Sequence, residues 1–159
     1  MNKKAIGIGA LALLVLVGIR VGMDLSSRQD DRQLIRQALA SATESSKAGQ
    51  PGGALDLLSK NLTMNSESMP VDRQTVAKFI RDQKPVVEVD KVEPQIIGEE
   101  GRVITPVSLS LGIFGEKTLP NVTMIFAKED DRLYGIIPVK KWRMTEIRVP
   151  QESWTSLIN

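Results

Sequence analysis

The hydrophobic pattern divides the chain into stretches of different periodicity. Residues 5–19, AIGIGALALLVLVGI, carry no charge. With Arg20, Val21, Gly22 and Met23 the apolar stretch reaches 19 residues, roughly 28 Å of helix at ~1.5 Å per residue, close to a bilayer's hydrocarbon thickness. Residues 24–30 are a polar connector. Leu34, Ile35, Ala38, Leu39 and Ala42 then recur at helical spacing, which predicts a helix over about residues 28–47. Gly49-Gln-Pro-Gly-Gly53 ends it. Ala54, Leu57, Leu58 and Leu62 predict a short second helix, and residues 61–69 a polar loop. Val76, Phe79 and Ile80 predict a third helix over about residues 71–82, with Pro85 beyond its end.

The period then falls to two. Val86 to Lys91 alternate, and Ile96-Ile97 precedes the Gly98-Glu-Glu-Gly101 turn. Val103, Thr105, Val107, Leu109, Leu111 and Ile113 share one face of a strand, and Pro106 on the other face suggests an edge or a bulge. Val122, Met124 and Phe126 define the next strand, residues 129–132 a charged hairpin connection, and residues 133–149 one bent strand or two shorter ones. Helices followed by a run of strands predict an α+β architecture with a curved antiparallel sheet. The expected organisation is a signal anchor over 1–23, a connector over 24–30, one domain over 31–150 and a tail over 151–159.

Two further readings compete with a retained anchor. A cleaved signal peptide has the same basic start, but Arg20 intrudes where small residues should mark the cleavage site. A buried core helix is the third. Lys3 and Lys4 before the span and Arg20 near its end are the membrane-flanking charges. The short basic tail favours a cytoplasmic N-terminus and an extracytoplasmic domain, although Arg28, Arg32 and Arg36 on the far side weaken that asymmetry. Gly18-xxx-Gly22 and Ala5-xxx-Gly9 have the spacing of close helix contact, and small residues facing lipid explain them equally well.

Composition removes much chemistry. The 159 residues include no Cys and no His, which excludes disulfides, thiolate metal sites and every His-dependent base or triad. The formal charge of +2 comes from the N-terminal flank, because residues 1–23 hold three basic residues and no acid. The rest of the chain carries 18 basic against 19 acidic residues. That balance lacks the footprint of a nucleic-acid binder. No phosphate loop, EF-hand spacing or Gly-x-Ser-x-Gly elbow is present, and no metal or cofactor is expected. Asn61-Leu-Thr63 and Asn121-Val-Thr123 match the glycosylation acceptor pattern, which arises often by chance.

The break Lys47-Ala-Gly-Gln-Pro-Gly-Gly-Ala-Leu-Asp-Leu-Leu58, the helical Val76-Ala-Lys-Phe-Ile80, and the late Phe126-Ala-Lys-Glu-Asp-Asp-Arg-Leu-Tyr-Gly-Ile-Ile137 followed by Trp142 resemble the nuclear transport factor 2-like superfamily over about residues 28–149. The resemblance implies a cone of curved sheet wrapped on helices. It spans cyclases, isomerases, dehydratases and non-enzymatic assembly domains, so fold alone does not choose a function. Enzymatic members use a carboxylate or a His–Asp pair at the cone mouth, and this chain has no His. Its layout is also similar to that of membrane-anchored members, such as assembly factors of type IV secretion systems and proteins accompanying lipid-import complexes. No functional residue aligns one to one.

Three chemical expectations follow. A carboxylate base in the cone would be Glu88, Asp90 or Glu146, though charged residues on strands mostly face water. An apolar ligand pocket would use Phe79, Met124, Phe126, Tyr134 and Trp142, side chains that core packing also needs. Lys140, Lys141, Arg143 and Arg148 around Trp142 could meet anionic headgroups, or could form an exposed face balanced by Glu129, Asp130 and Asp131. The preferred expectation is a membrane-anchored, non-catalytic binding or assembly domain. It would be an accessory component of an envelope complex, held in lipid through residues 5–23, with a protein partner or a second copy of itself. The alternative is a His-free, carboxylate-dependent isomerase or lyase, or a binder of small apolar ligands.

Overall fold

The computed structural model of the protein describes residues 31–65, 67–68, 72–112, 115–133 and 135–150. The expected membrane span, its flanking Lys3, Lys4 and Arg20, and the expected tail all lie outside them. Among the described residues no helix is long and apolar enough to cross a membrane.

Helix α1 covers residues 31–47. Its buried face is Ile35, Leu39, Ala42 and Ser46, the i, i+4, i+7, i+11 stripe of a helix lying on a sheet. Leu34, expected on that face, is 48% exposed. Gly49 stops the helix with a positive φ of 72°, as a C-terminal cap requires. Helix α2, Gly52–Leu57, is a single tight segment. Helix α3, Arg73–Gln83, starts at Asp72, whose side chain accepts from the Gln74 N–H, and it buries Ala77 and Ile80.

The strands are β1 Leu58–Met64, β2 Glu67–Ser68, β3 Val86–Val89, β4 Gln95–Ile97, β5 Glu100–Ser110, β6 Glu116–Leu133 and β7 Ile137–Arg148. They pair in the order β2-β1-β7-β6-β5-β3, with β4 also on β5. The expected antiparallel sheet is in fact mixed, because β1 runs parallel to β7. The segment from Leu58 onward, expected as helix and then loop, is this added strand. Its burial does not alternate, and only Ser59 and Leu62 are buried. Such a strand has no period-2 signal to find.

Two bulges bend the sheet. Between Thr105↔Val122 and Val107↔Leu119 the register gains a residue on β6. The extra segment contains Asn121, whose φ is +54°. The irregularity expected at Pro106 thus falls opposite it, on the partner strand. Between Ile125↔Glu146 and Phe126↔Met144 the extra residue is Thr145 on β7. Each bulge shifts the pleat by one, so residues three apart, Leu119 with Val122 and Met144 with Ile147, face the same side.

The core joins Ile35, Leu39, Ala42, Leu57 and Leu62 to Val103, Val122, Met124, Phe126, Trp142 and Met144 of the sheet. Gly101 admits α1 to this contact, since a Cβ there would stand 2.5 Å from Cδ1 of Ile35. Residues 129–132, expected as a hairpin connection, are strand instead. Glu129, Asp130, Asp131 and Arg132 pair with Lys141, Lys140, Val139 and Pro138, and the turn follows at Gly135, with φ +77°.

Candidate functional site

The sheet and helices α1 and α2 border a cavity of about 410 Å³ that opens to the surface. α1 supplies Leu39, Ala42, Thr43 and Ser46, and α2 supplies Ala54 and Leu57. The strands add Leu58, Met64, Val87, Val89, Val107, Leu109, Leu119, Val122, Met124, Met144 and Ile147, with Val149 just past β7. No described residue of this lining is ionisable or aromatic. Thr43 and Ser46 are the polar members, and the Thr43 hydroxyl donates to the Ala40 carbonyl at 3.0 Å. Apart from these two hydroxyls the described lining is aliphatic and thioether groups, and none of its residues takes or gives a proton at neutral pH.

A second, smaller space of about 270 Å³ lies on the other side of α2. Leu34, Ala38 and Ser41 of α1, Gly53, Asp56 and Leu57 of α2, and Lys140, Lys141 and Trp142 of β7 line it. Leu57 belongs to both linings and is the wall between them.

The side chains expected to form one pocket separate. Met124 lines the cavity. Phe126, with no exposed surface, and Trp142 at 5% are core residues, and Trp142 floors the smaller groove. Phe79 is 45% exposed on α3. It stands beside the buried stripe of Ala77 and Ile80, so the helix turns it to water. Tyr134 lies outside the described residues. The aliphatic lining from β5, β6 and β7 was half visible in the alternation of those strands; the part from β1 and from the two bulges was not.

No carboxylate expected as a base reaches the cavity. Glu88 and Asp90 are exposed and line shallow grooves at the β3–β5 edge. Glu146 accepts from Arg148 Nε at 2.7 Å and from Arg148 Nη2 at 3.0 Å. The Arg148 hydrogen bond holds its carboxyl below the usual glutamate range, the reverse of what a proton-abstracting base at neutral pH needs. The basic cluster is also paired. Lys140 meets Glu99 at 3.4 Å, Lys141 meets Asp131 at 3.1 Å, and Arg143 meets Asp131 at 2.8 Å. The Arg132 backbone N–H and Lys141 lower the Asp131 carboxyl to about 2. Buried Ser59 donates to Glu129 at 2.5 Å and accepts from the Asn61 N–H, which ties β1 to β6 across β7. Among the described residues no group of three or more acidic side chains is arranged to hold a metal ion.

Solved structures share this arrangement of helices and sheet. A nuclear transport factor 2-like superfamily protein from Salmonella enterica serovar Typhimurium superposes with a TM-score of 0.53, at 11% identity over 77% of this chain and 92% of that one. The fold is nuclear transport factor 2-like. A candidate ketosteroid isomerase from Shewanella frigidimarina superposes with a TM-score of 0.51, at 8% identity over 74% of this chain and 94% of that one. No protein-family model and no curated protein matches the sequence. Identities this low establish a nuclear transport factor 2-like fold and leave function to the side chains.

Proposed function

We propose that this protein is a non-catalytic binding module that receives an aliphatic molecule in the interior of its nuclear transport factor 2-like domain. The observation that carries the reading is the cavity of about 410 Å³, whose described lining lacks any ionisable group. Its size lies within the range of small-molecule sites, roughly 300–1,000 Å³. An isomerase or lyase of this fold without His needs a carboxylate in contact with its substrate. Glu88, Asp90 and Glu146 lie outside the lining, and Glu146 is held ionised by Arg148. A purely structural core would close around its side chains at high packing density, so an open aliphatic interior favours ligand binding over simple assembly.

We further propose that residues 5–23 keep the module at a membrane, with the domain outside the cytoplasm. The support is the uncharged run of residues 5–19 behind Lys3 and Lys4. A bilayer is also where aliphatic ligands are concentrated. The test has two parts. The full chain expressed in a bacterial host should stay with membranes through alkaline carbonate; release into the wash contradicts the attachment. A dodecanol analogue carrying a diazirine should cross-link saturably to cavity residues. Labelling that is not saturable, or that avoids the cavity, contradicts the binding reading.

A further inference from the structure

β6 and β7 run on past the rest of the sheet. β5 begins at Glu100, opposite Ala127 of β6, and β1 first pairs with β7 at Met144. Residues 128–133 of β6 and 137–142 of β7 therefore pair only with each other among the described residues. They form a two-stranded arm about 20 Å long. A lone hairpin is marginal in water, and charge pins this one along its stem. Asp131 meets Lys141 at 3.1 Å and Arg143 at 2.8 Å, and Lys140 meets Glu99 of the β4–β5 turn at 3.4 Å.

The tip has a different character. Leu133-Tyr-Gly-Ile-Ile-Pro-Val139 carries no charge and is bounded by Arg132 and Lys140. Ile136, in the turn, is 81% exposed, more than any other large apolar side chain described. α1 begins at the same end of the sheet. Ile35, near its start, packs on Gly101, where the arm leaves β5, and Leu34 shares a groove with Lys140 and Trp142 of the arm. Seven residues, 24–30, separate α1 from the apolar run that ends at Met23, and seven residues reach at most about 25 Å.

From these observations, and resting on the proposed membrane attachment through residues 5–23, we propose that the tip of the β6–β7 arm enters the bilayer interface. Ile136 passes below the headgroups, and the uncharged stretch between Arg132 and Lys140 sets the depth. The surface it meets is the membrane that already holds the chain. Removing an exposed isoleucine from water is favourable, and no charged side chain of the tip has to follow it. The flanking charges are basic, with long stems that suit the interface of an anionic bilayer. The acids of the arm lie farther from the turn, and Asp131 is neutralised by Lys141 and Arg143. A second point of attachment restrains the tilt of the domain, which a short tether alone leaves free. Ile97 is a built-in control. It is 67% exposed, but it precedes the β4–β5 turn at the base of the arm.

The chain has no Cys, so Ile136→Cys, Ile97→Cys and Leu14→Cys each place one nitroxide in the full chain, held in nanodiscs of phosphatidylcholine and phosphatidylglycerol. Collision with oxygen, which concentrates in lipid, is compared with collision with a water-soluble nickel chelate. The labels at 14 and 136 should favour oxygen and the label at 97 nickel. A nitroxide introduced by Pro138→Cys should also favour oxygen. Adding Ile136→Asp should lower its lipid-facing population about tenfold, as expected when one isoleucine no longer leaves water. A circular dichroism melt matching the parent shows that this variant is folded. Nickel preference at 136 with oxygen preference at 14 overturns tip insertion while the attachment stands. Nickel preference at 14 overturns the attachment, and the proposal with it. Oxygen preference at 97 as well as 136 overturns the assignment to the tip, as does an unchanged Pro138→Cys label in the Ile136→Asp variant. Spin–spin broadening at 136 that disappears on dilution with unlabelled chain shows a second copy on the tip and overturns the lipid assignment.

Discussion

Arg148 grips Glu146 with two parallel hydrogen bonds, at 2.7 and 3.0 Å, from a position two residues along the same strand. Residues two apart on β7 point to the same side of the sheet, so the pair is built into the strand's own geometry. Removing the guanidinium by Arg148→Ala should raise the Glu146 midpoint toward the ordinary glutamate value of about 4.3. A carbon-detected carboxylate titration checks this; an unchanged midpoint would mean that something other than Arg148 holds the proton off.

Acid stability follows from the same kind of contact. The carboxyls of Asp72, Asp131 and Glu146 are all lowered, Asp131 to about 2. A lowered folded-state value means that each contribution is complete above the unfolded-state midpoint, near ~4. It is then lost as pH falls through the folded value. Urea midpoints should therefore hold steady between pH 8 and 5 and decline from about pH 4 toward 2. The chain has no His to titrate in the upper range. A decline already evident at pH 6 would contradict this.

Gly53 and Gly52 are adjacent yet should respond oppositely to alanine. A Cβ on Gly53 would stand 2.6 Å from Oγ of Ser45 and 2.7 Å from the Ser41 carbonyl oxygen, so α2 would have to move away from α1. Gly53→Ala should cost about 1–3 kcal/mol, the usual size of overpacking. A Cβ on Gly52 meets nothing within 4 Å, and Gly52→Ala should be neutral or stabilise by up to about 1 kcal/mol. Chemical denaturation of the two variants is the check.

Leu57 is 6% exposed and walls both spaces. Leu57→Ala should cost about 2–5 kcal/mol, as for other buried leucines. It should also merge the cavity with the groove. A crystal structure of the variant showing two separate volumes would contradict the partition. Leu119→Phe places a larger side chain where open space exists, so it should leave stability within about 1 kcal/mol and reduce dodecanol-probe labelling severalfold. Retained labelling would place the ligand elsewhere.

What could be read beforehand follows the physics of each segment. α1 and α3 announce themselves by period, and β5 and β6 by alternation, because each packs one face on a core. β1 is not legible, since it gains its place by parallel pairing with β7 and buries only Ser59 and Leu62, without alternation along the strand. The charges of residues 129–132 resemble a turn because turns are polar. Here they extend a hairpin arm, and Asp131 and Glu129 meet Arg143 across it. The cavity was only half legible. Large aromatic residues suggested a pocket, but Phe126 and Trp142 pack the core. The bulges at Asn121 and Thr145 instead turn Leu119 and Ile147 inward beside Val122 and Met144, and a binary pattern does not reveal bulges.

The six methionines offer the most direct test of the aliphatic site. Met64, Met124 and Met144 line the cavity, and Met1, Met23 and Met69 lie outside the described residues. With ¹³C-methyl-labelled methionine in the full chain, titration with dodecanol should shift the three lining methyl signals together, saturably and with one affinity. Saturation without movement of Met64, Met124 and Met144, or movement of the other methyls alone, would contradict the site.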